Sequence, residues 1–183
     1  MFLEGFIFGG TMEYFDIFDI NGLKLNKTMV RGTKTLKGEY HKVVHIWIRN
    51  SKGDYLVQQR NKKTDRDPYQ WAPTAGAVTS GETPLIAALR ETEEEIGLTL
   101  EPNELKHMDS LFVENDYSNY IIEVYLVHKD VSLAELTLDD VEVKAVRYMS
   151  KNKIYKMIDA LKFWDFLEYL PTYDYFSILE KRN

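Results

Sequence analysis

The chain has 183 residues, 44% of them hydrophobic and 28% charged, with 12 Tyr and no Cys. That composition suits one globular domain with a substantial core and excludes collagen-like, low-complexity and disulfide-stapled readings, along with thiolate metal sites and cysteine nucleophiles. Acids outnumber bases 29 to 23, a net charge of −6, which argues against nucleic acid as a partner because phosphates are neutralised by clustered Lys and Arg.

Met1 to Gly10 is apolar but lacks the basic leader and small-residue cleavage site of a signal peptide. It reads as an edge strand or a translation-start artefact ahead of Met12, and residues 1–11 are expected to be dispensable. Tyr14 to Ile20 alternates imperfectly and is followed by the turn signal Asn21-Gly22. Lys24 to Lys37, rich in Lys and Thr, reads as an exposed connection. Tyr40 to Arg49 and Tyr55 to Arg60 flank the turn Ser51-Lys52-Gly53-Asp54 and predict a β-hairpin.

Asn61 to Tyr69 is charged and reads as a loop, and Trp71 to Val78 is a short apolar stretch broken by Pro73 and Gly76. From Thr83 the period changes to that of a helix. Thr83 can cap, Pro84 suits the first helical position and Gly97 closes the helix. Leu105 to Val113 and Tyr120 to Val127 read as strands, as does Val141 to Met149. Ile154 to Tyr169 reads as an amphipathic helix stopped by Pro171, and Tyr173 to Glu180 as a final short helix. Residues 1–183 therefore form one α/β (α+β) domain, with a helical segment over 151–183. No apolar run reaches the roughly 18 residues that cross a bilayer, so a cytoplasmic protein with no membrane partner is expected.

The helix over Pro84 to Ile96 carries the chemistry. Leu85, Leu89, Thr92 and Ile96 share a face at helical spacing and are expected to meet the core. At about 100° per residue from Leu85, Glu91 falls near 240°, Glu94 near 180° and Glu95 near 280°, roughly opposite that core, whereas Glu93 falls near 80°. Ala87 lies within the acidic face, small enough for a ligand to approach the backbone. Carboxylates within one turn repel one another unless a cation sits among them. Hard divalent ions such as Mg²⁺ take such oxygen ligands and complete their shell with water and substrate phosphates. The bland alternative is a solvated acidic helix.

The surroundings favour the site. Gly76 to Leu98 reads GAVTSGETPLIAALRETEEEIGL. It resembles the Nudix signature G-x5-E-x7-R-E-U-x-E-E-x-G-U, with Gly76, Glu82, Arg90, Glu91, Glu94, Glu95, Gly97 and Leu98 in register and Thr92 standing where an aliphatic residue is usual. The resemblance implies a loop-helix-loop on a mixed sheet in an α/β/α sandwich. It further implies Glu94 and Glu95 as principal metal ligands, with Glu91 as a ligand or the base that activates water. Arg90 would pin the loop from Gly76 to Glu82, with Glu82 as its partner. A later acid usually completes the set. Glu142 is the candidate, with Asp139, Asp140 and Glu123 as competitors.

Outside the signature, Tyr40-His41, Trp47, Lys52-Gly53, Leu56-Val57, Arg60, Pro68 and Trp71 are arranged much as in type I isopentenyl-diphosphate isomerases. Those enzymes need a cysteine where this chain has Gly76. Only His41 matches their metal-site histidines, Lys34 and Val78 standing near the other two places. The resemblance therefore implies a pyrophosphohydrolase dependent on Mg²⁺ or Mn²⁺. Its partner would be a small-molecule diphosphate, a nucleoside diphosphate derivative or a related organic pyrophosphate. A non-catalytic nucleotide sensor is the alternative, disfavoured because all three acids are intact. His41, Arg60, Trp71 and Tyr117 are candidate substrate contacts, Trp47, Tyr69 and Tyr120 could stack a base or pack a lipid-like group, and a homodimer is compatible with all of this.

Overall fold

A computed structural model describes residues 12–61, 68–116, 118–164 and 175–181. The elements follow in chain order as strands β1 (Tyr14–Phe18), β2 (Lys24–Val30), β3 (His41–Arg49), β4 (Tyr55–Arg60), β5 (Trp71–Ala72) and β6 (Thr74–Ala77), then helix α1 (Pro84–Ile96). Strands β7 (Lys106–Val113), β8 (Tyr120–His128) and β9 (Val143–Met149) come next, and helices α2 (Lys151–Asp159) and α3 (Tyr175–Leu179) follow. The leader 1–11 and the segment 165–174, with Pro171, lie outside the described residues.

β3 and β8 run parallel in continuous register from His41 opposite Tyr120 to Arg49 opposite His128. The remaining pairings of the main sheet are antiparallel, in the order β5-β4-β3-β8-β7 with β9 on the other side of β4. β3 divides its outer edge. Its end pairs with β4 at Ile48 and Arg49, and its start pairs with β6 from Val43 to Ile46. The expected hairpin is therefore real but short, because β4 diverges after two pairs to meet β5 on that edge.

Apolar residues fill both faces of the sheet. Val44, Ile46, Ile48, Leu56, Tyr125 and Val127 pack with Ala87, Ala88 and Ile96 of α1. Trp47, Val57, Ile122, Val124 and Leu126 pack on the other face with Ile154 and Ile158 of α2 and the residues of α3. The result is a three-layer α/β/α arrangement around a mixed sheet.

Three expectations need correction. Lys24 to Val30 is a strand paired with β1. Its lysines keep an outer hairpin in water, and Lys24 and Lys27 reach Asp16 and Glu39 at 2.6 and 2.7 Å. The helix expected over Ile154 to Tyr169 starts earlier, at a cap where Ser150 accepts from the Lys153 N–H, and ends at Asp159. There Leu161 takes a left-handed φ of 53°, and Phe163 bridges to Trp71. Finally, Ala87 is fully buried against the sheet rather than open to a ligand.

Candidate active site

Helix α1 begins and ends as its termini dictate. The Thr83 side chain accepts from the Ile86 N–H, and Gly97 closes the helix in the left-handed region with φ 66°. A Cβ at Gly97 would sit 2.8 Å from the Thr137 carbonyl, so the turn also needs the close approach.

The acidic face does not look into solvent. Glu91 is 9% exposed and Glu95 5%, because β6 and β4 wall the helix on that side. Glu94 and Glu93 are exposed. The helical wheel gives directions around the axis but not the second wall, which forms where β3 shares its edge between β4 and β6. Leu85 and Leu89 are correspondingly only partly buried, against the apolar cluster.

Gly76 is the seat of Glu91. A Cβ there would lie 1.9 Å from the Glu91 carboxyl carbon, so a side chain of any kind would displace the carboxylate. Arg90 ties helix to loop. Its Nε and Nη2 donate to the two oxygens of Glu82 at 2.9 and 3.0 Å, and Nη2 also donates to the Ala77 carbonyl. Nη1 reaches Glu91 Oε1 at 2.8 Å and Glu94 Oε2 at 3.0 Å. Glu82 is drawn further in by the Thr79 N–H and hydroxyl. Burial alone would raise the Glu82 carboxyl; Arg90 and Thr79 hold it below the usual range.

Glu95 receives the Gln58 amide at 2.8 Å, and the Thr74 hydroxyl holds Gln58 at 3.1 Å. Burial pushes Glu91 up to about 7, helped by Glu94 and Glu142 and opposed by Arg90. Burial, Glu91 and Glu142 push Glu95 up to about 8, against the Gln58 hydrogen bond. Both helix acids therefore feel Glu142, which stands in the turn just before β9 with its carbonyl accepting from the Asn61 N–H. Asp139 donates its N–H to the Glu95 carbonyl and turns its carboxylate to the Val141 N–H. The Asp140 carbonyl accepts from the Asn61 amide.

Glu123 is engaged elsewhere. Lys42, His107 and Ser110 bind it at 2.6, 2.7 and 2.6 Å. Burial alone would raise its carboxyl, and these partners hold it below the usual range. Among the described residues, no three carboxylates or imidazoles converge on one point as the side chains stand. Glu94 is turned to Arg90, and Glu95 to Gln58.

The structure does not gather the proposed substrate contacts around these acids. Trp71 is 5% exposed and packs on the opposite sheet face, with Arg147 over its ring at 4.0 Å. Trp47 belongs to the same core. His41 stacks on Phe15 with centroids 5.2 Å apart and tilts against Tyr120; burial pushes it down to about 4. Arg60 ends β4, its N–H on the Gln70 carbonyl. Tyr117 lies outside the described residues.

Sequence reasoning missed three residues. Gln58 and Thr74 position Glu95, and Asp16 accepts from the Ser80 hydroxyl and the Gly81 N–H to anchor the loop before α1. Gln58 could have been found as a polar residue at an inward position of β4, in phase with Leu56.

The NUDIX domain family model matches residues 39–170. An uncharacterized Nudix hydrolase of Listeria innocua is 35% identical over 173 residues, covering 94% of this chain and 96% of the relative. An isopentenyl-diphosphate Delta-isomerase of Streptomyces coelicolor is 28% identical over 147 residues, 77% of this chain and 74% of that one. A crystal structure of DR0079 from Deinococcus radiodurans superposes with a TM-score of 0.70 at 20% identity, covering 86% of this chain and 96% of that one.

Proposed function

This chain is a member of the Nudix hydrolase family, and from that premise we propose that it hydrolyses a diphosphate bond in a nucleoside diphosphate derivative or related organic pyrophosphate. The reading also assigns it a divalent cation, Mg²⁺ or Mn²⁺. The supporting observation is the pair Glu91 and Glu95, both sealed against the sheet and both raised toward neutrality by burial and by neighbouring carboxylates, Glu94 and Glu142 for the first and Glu91 and Glu142 for the second. Oxygen donors crowded in this way suit a hard cation, which relieves their repulsion.

Glu91, Glu94, Glu95 and Glu142 would hold it. When bound, the ion supplies positive charge to the phosphate oxygens as the diphosphate is cleaved. Arg90 occupies Glu91 Oε1, which leaves Oε2 without a hydrogen bond among the described residues and available to take a proton from the attacking water. Gln58 fixes the orientation of Glu95, and the Arg90–Glu82 clamp keeps the loop and the helix in one geometry. Protonation of Glu91 and Glu95 at low pH removes both donors, so activity is expected to rise toward alkaline pH. The isomerase chemistry of one relative is not carried over, because that reaction needs a cysteine and this chain has none.

The test is product release from a panel of nucleotide and isoprenoid diphosphates with Mg²⁺ or Mn²⁺. Hydrolysis of at least one member that excess EDTA abolishes is the expected result. Turnover undiminished by EDTA would overturn the metal assignment, and no hydrolysis across the panel would favour a binding role.

A further inference from the structure

On the sheet face opposite α1, the ends of β3 and β8, the start of β7, the end of α3 and the residues after it line a half-open cavity of about 490 Å³. Small-molecule sites commonly have this size. Its floor is apolar, formed by Met108 and Leu126, while Arg49, Lys106 and His128 supply basic groups around it. In a protein of net charge −6 this is a local concentration of positive charge.

The cations are not neutralised from within. At the rim, Glu180 is taken by Lys151 at 2.9 Å, and Lys181 is taken by Asp109 at 3.2 Å. That leaves Arg49 and Lys106 without a carboxylate partner among the described residues. Arg49 is held in place rather than waving in solvent. Its guanidinium lies over the Tyr55 ring, 5.7 Å from the centroid. One terminal nitrogen is 3.3 Å from where a Cβ at Gly53 would stand. Its Nε is sealed from water and has no hydrogen-bond partner among the described residues. A buried N–H on a cation without an acceptor is costly, and an anion beside the rest of the guanidinium would offset that cost through charge attraction.

We infer that this cavity binds a phosphate group, a dianion matching the two uncompensated cations Arg49 and Lys106. An organic portion, where there is one, would lie on Met108 and Leu126. The site is separate from the acidic face of α1, since the sheet stands between them, and it does not depend on the hydrolase reading.

The experiment is calorimetric titration of the full chain in metal-free buffer containing EDTA, with inorganic phosphate in one arm and glycerol phosphate in the other. Saturable binding is expected in at least one arm. Arg49→Met and Lys106→Gln should each weaken it by about tenfold or more, as loss of a charge-assisted contact does, whereas Glu95→Gln should leave it unchanged. Lys106 is exposed, so its variant tests the site even where Arg49→Met disturbs folding. Preference for the ester would identify a phosphorylated metabolite as occupant, and preference for the free ion would identify phosphate itself. Absence of saturable binding, wild-type affinity in Lys106→Gln, or loss of binding in Glu95→Gln would overturn the assignment.

Discussion

Glu91 and Glu95 are one turn apart on α1, and both are nearly sealed from water. Their burial changes what substitution should do. Glu95→Gln keeps shape and can still accept from Gln58 through its amide oxygen, but it removes a charged donor. Turnover on any substrate found by the panel is expected to fall by about 10²–10³-fold. The metal-free protein should melt slightly higher, because repulsion with Glu91 and Glu142 is relieved. Glu93 is exposed and only two positions away, and Glu93→Gln should leave turnover within about twofold of wild type. Parallel rate measurements on the two variants check this; equal small losses would return the helix to an ordinary acidic surface. At Gly76 the demand is steric. Gly76→Ala places a methyl on the Glu91 carboxyl, and urea denaturation should show a loss of about 1–3 kcal/mol.

At the scale of elements, α1 was legible from its ends. Thr83, Pro84 and Gly97 mark its boundaries by local chemistry, and the signature residues then place Arg90 beside Glu82. Less legible was the burial of the acidic face. That burial depends on β3 sharing its edge between β4 and β6, a long-range pairing with no local signature. β2 was hidden for a different reason. Its lysines serve an exposed hairpin edge, so charge masked the strand pattern. The substrate contacts were least legible, because aromatic residues such as Trp71 carry the same signal whether they meet a ligand or the core. The loop and helix are joined chiefly through one guanidinium, which leads to an element-level expectation. Arg90→Lys keeps the charge but cannot match the two oxygens of Glu82. Amide hydrogen exchange over Val78 to Thr83 should quicken by about tenfold, with α2 unaffected. Unchanged exchange in that loop would show that its bonds to Asp16, Tyr14 and Lys42 anchor it without the guanidinium fork.

For the whole molecule, the buried groups set a pH profile with opposing arms. Glu91 and Glu95 have folded values near 7 and 8, above their ordinary 4.5. The native state therefore binds more protons than the unfolded chain over that range, and its stability falls as pH rises through those values. His41 and His45 have folded values near 4 and 3, below their ordinary 6.5. For these the unfolded chain binds more protons, so stability falls as pH drops below about 6.5. Thermal melts of the metal-free protein should therefore stay near level from about pH 4.5 to 6.5, where the two pairs offset one another, and decline as pH rises from 6.5 through about 8. A divalent cation that binds the ionised acids should lift the alkaline arm selectively. A profile flat from pH 6.5 to 8.5 without metal would contradict the burial of the two carboxylates.

The central claim is that the buried face of α1, and not acidity in general, holds the cation. Titration of Mn²⁺ into the full chain at pH 8, read by the loss of its free electron-resonance signal, tests that without any knowledge of substrate. Wild type and Glu93→Gln are expected to bind with the same affinity, and Glu95→Gln more weakly by about tenfold or more. Equal affinity in all three proteins would contradict the account.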